Sequence, residues 1–212
     1  MVLKIEKPNQ GCSRQRRDAF GAPRLSTIVM KKILSLLLIF LAYGFSRAEE
    51  LLVSSKEPLV VVTPDQWKAT KDKSPTSSFP FETFRVVPPA SRNAVCLISI
   101  FEKDRQEFSD PQYLKKILKG DSRPYVSSTD DLSKLELKEM KINGGLGFYA
   151  NFVDPDLVGK PVEKGSYKTA TPIILSLGTK YLIKVTALCN EINGADYRDV
   201  IKIVESIRIK KE

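Results

Sequence analysis

The chain contains no histidine, which removes the usual general base at neutral pH, the Ser-His and Cys-His nucleophile systems and imidazole metal sites. No Ser-x-x-Lys, Gly-x-Ser-x-Gly or Cys-x-x-Cys occurs either. Chemistry must therefore come from carboxylates, aromatic rings or thiols. Asp154-Pro155-Asp156 sets two carboxylates close enough to share a calcium ion, so Asp154 and Asp156 are the candidate metal ligands, although Asp beside Pro is also turn chemistry. Thr129-Asp130-Asp131 supplies an acid pair that helix or turn capping explains equally well. Gly144-Gly145-Leu146-Gly147 fits a hairpin corner better than a phosphate cradle. Trp67, Phe148 and Tyr149 can stack on a sugar or a peptide, and the same rings can fill a core. These residues define no catalytic set and call for no cofactor.

Cys96 and Cys189 fall on strand faces with apolar neighbours: Ala94, Ile98 and Ile100 for the first, Ile183, Val185 and Ala187 for the second. A Cys96–Cys189 disulfide and two separate buried thiols both remain open, and mid-sheet strands favour the thiols. With no histidine or basic cluster adjacent in sequence, neither sulfur is set up as a nucleophile.

The elements that must position these groups follow from the apolar periodicity. Leu59-Val60-Val61-Val62 reads as a strand. Lys68 to Ser78 carries no large apolar residue and reads as a loop. Phe79 to Val87 is extended, and Ala94 to Phe101 is apolar on both faces, as in a strand with cover on both sides. Asp110-Pro111 opens a helix with an N-cap and a first-turn proline, its apolar face is Tyr113, Leu114, Ile117 and Leu118, and Gly120 reads as its stop. Lys134 to Ile142, Asn143-Gly144 and Leu146 to Val153 predict a hairpin. Thr171 to Leu177 and Lys180 to Leu188 predict another, with Tyr181, Ile183, Val185 and Ala187 inward and Lys184 and Thr186 outward. After Gly194, Tyr197, Val200, Ile201 and Val204 recur at helical spacing, and Ser206 to Lys210 ends in extended alternation. Consecutive hairpins with two or three packed helices predict an α+β domain: one antiparallel sheet layered with helices.

The charge is unevenly spread. Of 34 basic and 25 acidic residues, nine basic and two acidic lie in residues 1–48, which leaves 25 and 23 in the remainder, a net charge of +2. Such a near-neutral domain lacks the electrostatic footprint of a nucleic-acid binder. Within the basic segment, Lys31-Lys32, the apolar run Ile33 to Phe45 and Ser46-Arg47-Ala48 have the order of a secretory signal peptide, with cleavage expected between Ala48 and Glu49. The apolar run is shorter than the roughly 20 residues of a membrane span. Met30 is then the natural initiator, residues 1–29 read as a disordered extension outside the fold, 30–48 as the signal peptide, and 49–212 as a single secreted α+β domain.

Pro64-x-x-Trp67, the strand Tyr181-x-x-x-Val185-x-Ala187, the helix after it and the close Ile203-Val204-x-Ser206-Ile207 resemble the PsbP-like superfamily, over roughly residues 59 to 210. The resemblance implies an assembly or binding module without a shared catalytic set. Two functions stay open: a non-enzymatic secreted or periplasmic module that binds an envelope protein or small ligand, and a carboxylate-dependent hydrolase of the cell envelope, which needs two acids across a cleft.

Expression from Met30 is expected to give an exported protein whose first residue is Glu49. Edman sequencing of the exported form checks this, and a mature chain that begins at Met1 or stays in the membrane would contradict it.

Overall fold

The computed structural model describes residues 49–52, 58–72 and 81–210. The expected extension, the signal peptide up to Ala48, and Phe79-Pro80 lie outside the described residues. Two strands organise the rest: β9 (Thr169–Leu177) and β10 (Tyr181–Cys189), antiparallel and joined across Gly178, whose φ of +61° suits a glycine turn. They occupy the middle of a sheet ordered β3-β4-β5-β10-β9-β7-β6, with a short β8 also on β9. The flanking strands are β3 (Lys68–Asp72), β4 (Glu82–Val87), β5 (Val95–Glu102), β6 (Lys138–Ile142), β7 (Gly145–Tyr149) and β8 (Phe152–Val153), every pairing antiparallel.

Side chains alternate across a strand, so a doubly buried pair needs a layer on each face. On one face, Ile174 and Leu182 pack with Phe108, Leu114, Leu118 and Phe148, under α1 (Pro111–Asp121). On the other, Ile173, Leu175, Ile183 and Val185 pack with Val200, Ile203 and Val204 of α2 (Ala195–Glu205) and with Leu59 and Val61. Leu59 and Val61 belong to β2 (Leu59–Thr63), the middle strand of a small second sheet with β1 (Glu49–Leu52) and β11 (Arg208–Ile209). The class is the α+β arrangement expected: an antiparallel sheet with two helices packed against it. No helix among the described residues is long and apolar enough to cross a membrane.

Several boundaries differ from the sequence reading. Lys68 to Asp72, read as loop, is the edge strand β3; its hydrogen bonds to β4 are main-chain bonds that need no apolar residue, and Lys71 pairs with Glu82 at 2.7 Å across the ladder. Gly120 does not stop α1. The helix runs through it to Asp121, and the Ser122 hydroxyl closes the end by donating to the Leu118 carbonyl at 2.8 Å. The N-terminal signal holds, since Asp110 accepts from the Gln112 N–H at 2.8 Å with Pro111 in the first turn. Lys184 is not simply outward: its Nζ lies 2.9 Å from Asp121 Oδ1 on the α1 side. The second hairpin arm breaks after Tyr149, so Ala150 and Asn151 separate β7 from β8. In α2 the buried set is Tyr197, Val200, Ile203 and Val204, and Ile201 is only half-buried.

Two glycines should respond oppositely to alanine. A Cβ at Gly145 would lie 2.1 Å from the Ser176 carbonyl oxygen, so Gly145→Ala forces backbone movement between β7 and β9 and is expected to destabilise by about 1–3 kcal/mol. A Cβ at Gly120 meets nothing within 4 Å, so Gly120→Ala inside α1 is expected to stabilise by about 0.5–1 kcal/mol. Urea midpoints of the two variants check the signs; a stabilised Gly145→Ala would show the strand register to be wrong.

Candidate functional site

Most of the chemistry-bearing residues are occupied in holding loops. Asp154 Oδ1 accepts from the Asp156 N–H at 2.9 Å and caps the short 3-10 turn Pro155–Leu157, with both carboxylates exposed. No group of three or more Cys, Asp or Glu stands close enough to hold a metal ion among the described residues. Asp130 Oδ2 accepts from Ser127 N–H at 3.0 Å, and Asp131 accepts from both the Ser133 hydroxyl and its N–H at 2.8 Å. Those bonds to Ser133 hold the Asp131 carboxyl below the usual carboxylate range. Gly144 supplies the φ of +77° that turns β6 into β7. Trp67 is buried, with the Arg92 guanidinium 5.3 Å from its ring centroid and, among the described residues, no acceptor for its Nε1–H.

Cys96 and Cys189 are both free and buried. Cys96 stands opposite Ala187 in the β5–β10 ladder, which puts Cys189 two residues further along the same face. Such diagonal neighbours are about 7–8 Å apart, beyond the reach of an unstrained disulfide. Burial pushes both thiols up, Cys189 to about 12 and Cys96 further still, so the unreactive neutral form prevails.

The described residues come together differently at the β6–β7 end of the large sheet. There α2 and the sheet enclose an open cleft of about 650 Å³. Met140, Tyr149 and Asn151 line the sheet side, and Tyr197 and Ile201 line the helix side. Met140 faces Gly147 across the β6–β7 ladder, and the space a side chain at Gly147 would need is taken by Leu175, whose Cδ2 would lie 2.6 Å from a Cβ there. At the break between β7 and β8, Asn151 Oδ1 accepts from the Thr171 hydroxyl at 2.8 Å and the Tyr197 hydroxyl at 3.1 Å. Desolvation raises the Tyr197 phenol above its ordinary range, outweighing the hydrogen bond to Asn151, and keeps it protonated as a donor. With Oδ1 so engaged, what Asn151 has left for a ligand is its Nδ2 donors. Lys138, Arg198 and Lys202 stand on the cleft's rim and walls with Glu205; Glu139 and Lys141 also border it, but alternate on β6 onto the α1 face opposite Phe148 and Leu146.

Tyr149 is half-buried against the core with its ring on the cleft, between the two roles the sequence allowed it, while Phe148 turns to the opposite face under Lys115, 4.8 Å from its centroid. Asn151, Ile201 and the cations Lys138, Arg198 and Lys202 carried no sequence signal as a site; a helix position that is apolar yet redundant for the buried stripe, as Ile201 is, was the one available hint. No protein-family model matches this chain, and no curated protein sequence matches it.

Alkylation of the full chain, mapped by peptide mass spectrometry, should label neither Cys96 nor Cys189 when native and both when unfolded without reductant. A native thiol labelled in seconds would contradict the burial of that sulfur, and failure to label either after unfolding would reveal a bridge.

Proposed function

We propose that this protein is a non-enzymatic binding module of the cell envelope, exported on the signal at residues 30–48, and that its ligand seats in the cleft between α2 and the β6–β7 end of the sheet. The observation that carries this reading is the cleft itself. It has a small-molecule volume of about 650 Å³, apolar groups in Tyr149 and Ile201, and a polar anchor in Asn151 oriented by two hydroxyls. Kinship with the PsbP-like superfamily is part of the same proposal and agrees with a binding role.

The hydrolase alternative finds less support. Its acids would have to be Glu139 and Glu205, the carboxylates that border the cleft; both are exposed, and Glu139 lies on the α1 face of β6 opposite Phe148. Acid–base pairs ordinarily act from desolvated walls that set their two protonation states apart. The other acid pairs, Asp154 with Asp156 and Asp130 with Asp131, serve turns.

The test uses anilinonaphthalene sulfonate, which brightens in an apolar site. The native chain is expected to bind it saturably at one site, and Tyr149→Ala with Ile201→Gln to weaken it by about tenfold or more while the cooperative melt persists. Absence of saturable binding, or affinity unchanged by the two substitutions, would remove the cleft as the site.

A further inference from the structure

We infer that the cleft's ligand is a small amphipathic anion, a carboxylate, sulfonate or phosphate head on an aromatic or short aliphatic body; this rests on the cleft being the binding site. The first support is charge. On β6, Lys138 shares the cleft face with Met140, while Glu139 and Lys141 alternate onto the α1 face opposite Phe148 and Leu146. Three cations, Lys138, Arg198 and Lys202, then face the cleft with one anion, Glu205, a surplus of two positive charges, which is as large as the net charge of the whole of residues 49–212. A concave low-dielectric wall concentrates such a surplus on whatever enters.

The second support is how these cations are partnered. Cations that hold the fold together are paired with acids: Arg92 with Asp196 and Asp199, Lys71 with Glu82, Lys184 with Asp121, Arg208 with Glu50. The cleft's Lys138 and Arg198 belong instead with the surface cations, such as Lys115 and Lys119 of α1, that have no carboxylate within 4.0 Å among the described residues. Among the described residues, Lys138, Lys141 and Arg198 have no carboxylate within 4.0 Å, and Lys202 has one, Asp199, at 3.8 Å. Arg198 and Lys202 also stand four apart on α2, a like-charge spacing that weakens a helix slightly. Arg198 is steered by donating to the Asn193 carbonyl. Lys138, Arg198 and Lys202 contribute little to holding the fold and stand where an anion would meet them.

The third support is the floor. The hydrogen-bonding capacity that Asn151 retains is as a donor, and the Tyr149 ring and Ile201 side chain lie beside it. Donor, cations and apolar walls together match a charged head joined to an apolar body. The volume fits a small organic ion; a folded acidic partner or a bilayer would use the rim cations without the floor.

Two probes with the same aromatic body separate the claims: anilinonaphthalene sulfonate and its uncharged parent, phenylnaphthylamine. On the full chain the sulfonate is expected to bind about tenfold or more tightly than the neutral dye at low salt. Arg198→Gln with Lys202→Gln, or molar sodium chloride, should largely close that gap. Lys115→Gln with Lys119→Gln on the other helix should leave it intact. Equal affinities for the two dyes, both weakened by Tyr149→Ala with Ile201→Gln, would overturn the anion inference and leave the cleft reading standing. If neither dye responds to those two apolar substitutions, both fall. A sulfonate preference abolished only by the Lys115 and Lys119 changes would assign the anion to α1 and refute the inference. So would chain that sediments with phosphatidylglycerol vesicles equally well with and without Tyr149→Ala and Ile201→Gln, combined with no dye preference.

Discussion

The structure depends on burying β9 and β10 on both faces at once. Ile174, Leu175 and Ile183 have no measurable exposure, and adjacent residues such as Ile174 and Leu175 point to opposite sides. Each such side chain contributes about 1.5–3 kcal/mol only if something covers it. Hence the two amphipathic helices, one per face, and hence the small β1-β2-β11 sheet, which joins α2 in covering its side. The chain ends on that requirement: Ile207, just before β11, is fully buried in the same cluster.

Cover, however, is narrower than the sheet. Seven strands in hydrogen-bonded order span about 30 Å at roughly 4.8 Å per step, whereas a helix with its side chains is about 10–12 Å across. The small sheet supplies further cover, and at the β6–β7 end it runs out. Met140 is still buried there, Tyr149 and Ile201 are half-buried, and the opening between them is the cleft. The candidate site is therefore a geometric remainder of the packing that makes the core, made polar by Asn151 at the strand break.

Legibility in the sequence followed the same physics. Strands β5, β9 and β10 and helix α1 were readable because dense apolar alternation and the Asp110-Pro111 cap are local signals. The strand β3 was not, because Lys68 to Asp72 is held by main-chain bonds to β4 that leave no mark in side-chain type. The α2 stripe was half readable: spacings of three and four admit both Ile201 and Ile203 beside Val200 and Val204, and only the position of the sheet selects Ile203 for the core. That selection turns Ile201 onto the cleft wall. Lys138 and Arg198 lie sixty residues apart in the chain, and Asn151 matters only because β7 breaks beside it, so nothing local could have joined them into one site.

A cleft built from leftover surface would be a poor receptor if its walls moved, and α2 is held at both ends. Near its start, Arg92 bonds Asp196 at 2.5 Å and Asp199 at 2.8 Å while its guanidinium lies over Trp67. At its end, Ser206 Oγ accepts from the Val62 N–H at 2.8 Å and donates to the Ile203 carbonyl at 2.6 Å, tying the helix to β2. Between these ties, Val200, Ile203 and Val204 are fully buried, so the face bearing Tyr197, Arg198, Ile201 and Lys202 cannot rotate without uncovering them. The opposite wall is fixed by the β7–β9 ladder and by the contact of Gly147 with Leu175. A site fixed by its supporting shell has less conformational entropy to lose on binding, and walls held in this way are what the proposed small ligand would need to sit in one orientation.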